Sequence, residues 1–507
     1  MAAKVGAVRT SKRPHVSAAA INLEQRATRG AFLKILRLLP LLATLLAAAH
    51  AQTVPVLLLS DIHLDPFHDP AKLSQLRAAP ATAWAAILNA PPSPTQADDF
   101  AHLQSTCNAH GTDTSPALVE SSLHAAQQQQ PNPLFVTVSG DLMAHLFDCR
   151  IRTLLPSATP ADISDLASKT VAYIALRLHQ TFPRSPIYFA LGNNDSGCND
   201  YSEDPDSAFL RANAAAFAAD ALPPANGSIL LRQFPSLGDY NVALPAPLAH
   251  TRLIVLQDIF QSKRYSGCNG TPSADPAAAQ ITWLRSQLTA ARAAHQRVWI
   301  MAHIPPGIDS YSTFAKARNI CGGQSPVMFL SSEALATTLA SFPDVIRLAL
   351  FGHTHMDEFR AFRTPTGTIP GKLVPSITPV NGNNPSFTLA DVDPSTAILK
   401  DYAVYSANNQ TGDNAKWSEE YRYSTTYHLP DFSGASLAKL TTSFLADKYG
   451  SSELSRAYET FFYVGAPGIS ASIKAAAMRI VWPAYACALT SDHAAGFRSC
   501  VCNTPSQ

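Results

Sequence analysis

The sequence is poor in charge. Only 15% of its 507 residues are Asp, Glu, Lys or Arg, against about 25% in an average soluble domain. Neither sign dominates: 38 basic and 37 acidic residues leave a formal net charge of +1. Disorder throughout the chain is excluded, because that state needs high net charge and low hydrophobicity, and 46% of these residues are hydrophobic. The lack of a basic excess also argues against a nucleic-acid-binding module. There is no internal repeat. No apolar run reaches the ~20 residues of a spanning helix, so no stable transmembrane anchor is expected.

The longest apolar run, residues 38–49, has about 12 residues. Lys34 and Arg37 precede it, and Ala49-His50-Ala51 follows it. A basic flank, a short apolar core and a small-x-small end predict a secretory signal, cleaved after Ala51. Residues 1–51 are therefore read as an N-terminal extension and signal peptide, with an uncleaved membrane anchor as the alternative. Export permits disulfides, and the eight cysteines are an even number.

Short apolar runs predict buried strands at Val54–Ser60, Leu134–Ser139, Ile187–Leu191, Leu253–Gln257, Val298–Ala302 and Ile346–Phe351. Helical spacing runs through residues 161–182, and helices are expected around residues 116–126, at 277–294 and at 332–341. Strand–helix alternation predicts an α/β domain over residues 52–405. Its later strands, Thr368–Val374, Ser386–Asp391 and Ala397–Tyr405, are more irregular. Residues 406–507 are read as a helical C-terminal subdomain with helices at 436–448, 452–463 and 470–482.

The strand ends carry the chemistry. The first runs into Asp61-Ile62-His63, the second into Gly140-Asp141 with His145 soon after, and the third into Gly192-Asn193-Asn194-Asp195. The Val298 strand ends at His303, and the Ile346 strand ends in Gly352-His353-Thr354-His355. Each motif alone is weak, Gly-Asp and Gly-Asn-Asn being common turns, although two histidines spaced by two after a buried strand are unusual. Together they gather carboxylate, imidazole and amide groups at the C-terminal ends of strands, where α/β sheets place ligands. Extended backbone would point Asp61 and His63, and likewise His353 and His355, to the same side. Mixed nitrogen and oxygen donors suit Zn, Fe or Mn. A carboxylate can bridge two such ions about 3.5–4 Å apart.

The order of these blocks resembles the calcineurin-like metallophosphoesterase superfamily. The narrower resemblance is to the acid sphingomyelinase-like phosphodiesterases. It is carried by SDIHLDP (60–66), GDLMAH (140–145), AHIPPG (302–307), GHTHMDEF (352–359) and PSITPVNGNNPSF (375–387). It continues through residues 416–427 and the Cys487/Cys500 spacing. The GNND motif is similar to that of the endopolyphosphatases. The resemblance implies an α/β (α+β) double β-sheet sandwich flanked by helices. It implies two divalent metal ions, zinc by family habit. Asp61, His63 and His355 would hold one ion, Asn193, His303 and His353 the other, and Asp141 would bridge them. His145 would protonate the leaving group. Asn194 stands where the family commonly has His; it can donate a hydrogen bond to a phosphoryl oxygen but not supply a proton.

The implied activity is that of a secreted phosphoesterase. Hydroxide generated at the cations would attack phosphodiesters such as sphingomyelin-like headgroups, nucleotide diesters or diphosphates. Endopolyphosphatase action on phosphoanhydrides is one alternative, and a non-catalytic secreted metal-binding protein is the other. Cys487 is expected to pair with Cys500, as in the family. The other six cysteines allow 15 pairings.

Overall fold

The computed structural model describes residues 53–271, 273–465 and 478–503. The apolar run at 38–49 and most of the helix expected at 470–482 lie outside these. The described residues belong to one compact unit.

The strands are β1 (Val54–Leu59), β2 (Val136–Ser139), β3 (Ile187–Ala190), β4 (Tyr240–Ala243), β5 (Thr251–Val255), β6 (Arg297–Met301), β7 (Ile346–Phe351), β8 (Glu358–Thr364), β9 (Gly367–Leu373), β10 (Ser386–Asp393), β11 (Ile398–Ala407) and β12 (Trp417–Arg422). They make two six-stranded sheets, ordered β12-β11-β10-β1-β2-β3 and β4-β5-β6-β7-β9-β8. Within the first sheet β1, β2 and β3 run parallel. Within the second β5, β6, β7 and β9 do so. Parallel strands align their C-terminal ends, so each sheet delivers its loops to one edge.

Both faces of the parallel strands are covered. Along β6, Trp299 and Met301 join Val136, Val138 and Leu350 in the main core, while Val298 and Ile300 join Leu284 and Leu288 of the helix Asp275–Ala293. That period of two buries apolar side chains on both sides of a strand. A fully buried Leu or Ile is worth roughly 1.5–3 kcal/mol, and several per strand fix the register. The Trp299 indole N–H donates to Ala397 O at 2.8 Å, tying β6 to the first sheet.

The helices Gly434–Ala446 and Trp482–Thr490 pack on the β8–β9 edge of the second sheet. Phe359 of β8 stacks on Phe444 and meets Tyr458 edge-on. Ser433 caps the first of these helices, accepting from the Ser436 N–H. Four disulfides are present: Cys107–Cys149, Cys198–Cys268, Cys321–Cys502 and Cys487–Cys500. The last is the expected pair.

Candidate active site

The two sheets meet at the edge where their loops emerge. Asp61 and His63 follow β1, Asp141 follows β2, and Asn193 and Asn194 follow β3. His303 follows β6, and His353 and His355 follow β7. The sheets are sewn together here: the His303 imidazole Nδ1 lies 2.8 Å from Ser139 O, and the His353 backbone N–H donates to Asp61 Oδ1 at 3.1 Å.

The donor atoms converge. Asp61, His63, Asp141 and His355 offer ligand atoms that lie within 4.8 Å of one another, as do Asp141, His303 and His353. Asp141 belongs to both groups. Asn193 joins the second through its Oδ1, 2.8 Å from His353 Nδ1. A third group is formed by His63, His145 and His355.

The convergence differs in its cause from extended geometry. Asp61 and His63 adopt φ of 48° and 45°, Asp141 53°, and His353 and His355 72° and 65°. Five non-glycine residues in the left-handed region, which costs such residues energy, mark a backbone bent to aim side chains. Gly140, at φ 92°, packs against His303, where a Cβ would meet Nδ1 at 2.7 Å. At Gly352 a Cβ would overlap Ser60 Oγ and Asp61 Oδ2.

The donor set fits divalent cations. His63 Nδ1 lies 2.8 Å from Met143 O, and His303 Nδ1 lies at the same distance from Ser139 O. A carbonyl only accepts, so each Nδ1 carries a proton, and in the neutral ring each Nε2 presents a lone pair. Both Nε2 atoms are buried without a hydrogen-bond partner. They face Asp141 Oδ2 at 3.4 and 3.0 Å. In the neutral imidazoles these nitrogens aim lone pairs at a carboxylate, an arrangement that a positive charge between them satisfies.

His145 sits at the rim, its side chain 32% exposed. Its ring stacks on His63 with centroids 4.0 Å apart. Its Nδ1 lies 2.8 Å from Asp113 Oδ1, and its backbone N–H donates to Asp113 Oδ2 at 2.9 Å. Burial disfavours charge on this imidazole, but Asp113 outweighs it and lifts the pKa to about 9. Burial would likewise raise Asp113, yet His145 holds it down to about 2. Arg150, fully buried, anchors the pair through Asp65 at 2.9 Å and Asp113 at 3.6 Å.

Asn194 is turned inward. Its backbone N–H and side-chain Nδ2 donate to the two oxygens of Asp141 at 2.8 and 2.7 Å. Sequence reasoning missed the supports behind these groups. Asp195 accepts from the N–H groups of Leu142, Met143 and Gly192, joining the two loops. Asp258 accepts from those of His303 and Ile304. Asp195 stood inside the GNND motif and was legible in principle. Asp113 and Asp258 follow no local pattern.

Two donor groups sharing one carboxylate, set where two sheets meet, could hold divalent metal ions. The chain belongs to the calcineurin-like phosphoesterase family, whose model matches residues 54–357. It is 26% identical over 407 residues to acid sphingomyelinase-like phosphodiesterase 3b of Mus musculus, covering 77% of this chain and 79% of that protein. It is 26% identical over 313 residues to a cyclic GMP-AMP phosphodiesterase of Bos taurus, covering 59% and 64%. Among solved structures, a dimetal phosphatase from Danio rerio aligns with TM-score 0.36 and 13% identity, covering 73% of this chain and 99% of that one. The chain is a metal-dependent phosphoesterase by family, with named phosphodiesterases among its relatives.

Proposed function

We propose that the chain hydrolyses phosphodiesters, including those of nucleotides, outside the reducing cytosol. One observation carries this reading: Asp141 Oδ2 faces two buried, unpartnered imidazole nitrogens. Asp61, His63 and His355 would hold one divalent cation and Asn193, His303 and His353 the other, with Asp141 shared. Zn suits the donors, as do Fe and Mn. When bound, such cations polarise phosphoryl oxygens and lower the pKa of water to near neutral.

The chain's own residues do the rest. His145 holds a proton at Nε2, since Nδ1 is engaged by Asp113, and delivers it to the leaving oxygen. Asp113 fixes the tautomer and stabilises the imidazolium. Asn194 orients Asp141 with one amide hydrogen, and the second is the donor this reading assigns to a phosphoryl oxygen. Four disulfides support export, because they persist in oxidising compartments. No helix among the described residues is long and apolar enough to cross a membrane.

The test is hydrolysis of bis(p-nitrophenyl) phosphate by metal-loaded protein. Asp141→Asn and His303→Ala are expected to abolish it while circular dichroism stays native. Full activity in both variants would refute the reading. No hydrolysis by the wild type at any pH would favour a non-catalytic metal-binding protein.

A further inference from the structure

The turn between β7 and β8 carries His353 and His355 and has little support from its own backbone. β7 ends at Phe351, and the β8–β9 ladder begins at the Glu358–Leu373 pair. Residues 352–357 lie outside both ladders. His353 and His355 sit there in the left-handed region, at φ 72° and 65°. Such a conformation persists in a non-glycine residue only where its surroundings over-determine it. The first half of the turn is tied to Asp61 through the His353 N–H at 3.1 Å. The His355 carbonyl accepts from the Ser376 N–H and hydroxyl, both at 3.3 Å.

The far end of the turn is clamped at Asp357, which is buried and held by three elements. Lys372 of β9, fully buried, donates its ammonium to Asp357 Oδ1 and to the carbonyls of Leu373 at 2.8 Å and Glu358 at 3.4 Å. Tyr421 of β12 donates its hydroxyl to Asp357 Oδ2 at 2.6 Å. The Asp357 backbone N–H donates at 3.0 Å to the carbonyl of Phe462, the last residue of the helix Glu453–Phe462. Phe461 of that helix stacks on Tyr421 with ring centroids 4.4 Å apart. One carboxylate thus joins the second sheet, the outer strand of the first sheet and a C-terminal helix, two residues from a proposed cation ligand. Stability alone does not account for it, because apolar residues of like volume often serve a buried position as well as an ion pair or better. A charged pair with directed hydrogen bonds adds a fixed geometry. The neighbouring Glu358 gives the contrast. It is also buried and accepts from Arg360 at 3.1 Å and Tyr485 at 3.2 Å, but the ladder already fixes its backbone.

We propose that Asp357 is a positioning residue for the cation site of Asp61, His63 and His355. Its clamp holds the turn so that His355 Nε2 stays 3.3 Å from Asp61 Oδ1. The cation affinity of this site then depends on β12 and on the helix Glu453–Phe462, which gives the C-terminal subdomain a part in the chemistry. The site of Asn193, His303 and His353 is set by the loops after β3 and β6 and by the first half of the turn, and it is independent of the clamp. This role rests on the dimetal reading above.

The experiment titrates the chelator-stripped full chain with zinc by calorimetry. It compares the wild type, Tyr421→Phe, Tyr485→Phe and the paired change Asp357→Asn with Lys372→Met. His355→Ala and His353→Ala identify which binding step belongs to which site. The paired change removes both charges together, so neither is left buried alone. It should weaken the His355 step about tenfold or more, the scale of a lost support behind a metal ligand, and leave the His353 step within about twofold. Tyr421→Phe should weaken the same step by less. Tyr485→Phe removes a comparable buried hydrogen bond from Glu358, and should lower the Tm while both steps match the wild type. Equal weakening of both steps in the clamp variants would make the clamp merely structural and overturn the proposal. So would a lowered Tm with both steps unaltered. If the paired variant does not fold, Tyr421→Phe decides by the same criteria. A wild type that takes up two ions but leaves bis(p-nitrophenyl) phosphate intact removes the phosphodiesterase reading, and the clamp still stands or falls on the titrations. A wild type that hydrolyses the ester, with clamp variants that titrate as it does, removes the clamp alone. A wild type that takes up no zinc overturns both.

Discussion

Asp113 shows how a single residue can matter without touching substrate. Its carboxylate engages both the ring and the backbone of His145 and is itself steadied by Arg150 and by the Thr378 hydroxyl at 3.4 Å. Asp113→Ala should cut kcat for alkyl phosphodiesters about 100-fold, the scale of a lost general acid. It should cut p-nitrophenyl esters far less, because p-nitrophenolate leaves without a proton. Equal losses on both would remove His145 from the acid role. Glu203 offers a test of stability. Burial lifts its pKa from 4.5 to about 7, and its Oε2 has no hydrogen-bond partner. The folded chain therefore keeps a proton that the unfolded chain gives up, and this group's contribution is lost as pH rises from about 4.5 through 7. A shift of that size is worth about 3 kcal/mol. Glu203→Gln should raise the Tm at pH 8 and leave it nearly unchanged at pH 4.5. Thermal melts at the two pH values check this, and an equal gain at both would contradict it.

Among the elements, the β7 turn is the most demanding. Gly352 lies so close to Ser60 and Asp61 that an alanine must displace one of them. Gly352→Ala should lower bound metal by at least half, read by elemental analysis, with secondary structure kept. The strands that feed the site were legible in the sequence because β1, β2, β3, β6 and β7 are short apolar runs ending in turn residues. The reading of β5 slipped by two residues. Leu256 and Gln257 look like strand, but the paired register ends at Val255, and the Gln257 N–H donates to Asp239 Oδ1 instead of to β6. β4, β8 and β12 went unread because they are edge or near-edge strands carrying polar residues, as in EFRAFRT of β8. The helices Ala208–Asp220 and Pro224–Leu237 were masked by alanine and by Pro235, which blur helical periodicity. The site was more legible than the fold around it. Its donors sit at strand ends, a local pattern, whereas Asp113, Asp258, Lys372 and Tyr421 are brought in by tertiary packing alone.

Across the whole molecule, low charge fraction and near-neutral balance conceal a concentrated site. Most of the ionisable donors are buried and were selected by place, not by number. Four cross-links tie loops to loops and the C-terminal helix Ala494–Asn503 to the rest. A peptide map made without reductant should recover all four pairs from protein exported by its host; free thiols at these positions would contradict a secreted chain. The central claim concerns the shared carboxylate between two imidazole pairs. Its most direct test is metal analysis of the purified protein alongside phosphodiester hydrolysis, for the wild type and Asp141→Asn. About two divalent ions per wild-type chain are predicted, with activity lost to a chelator and restored by zinc, manganese or iron. Asp141→Asn should hold fewer ions and be inactive. Full-rate hydrolysis by metal-free wild-type protein would contradict the account.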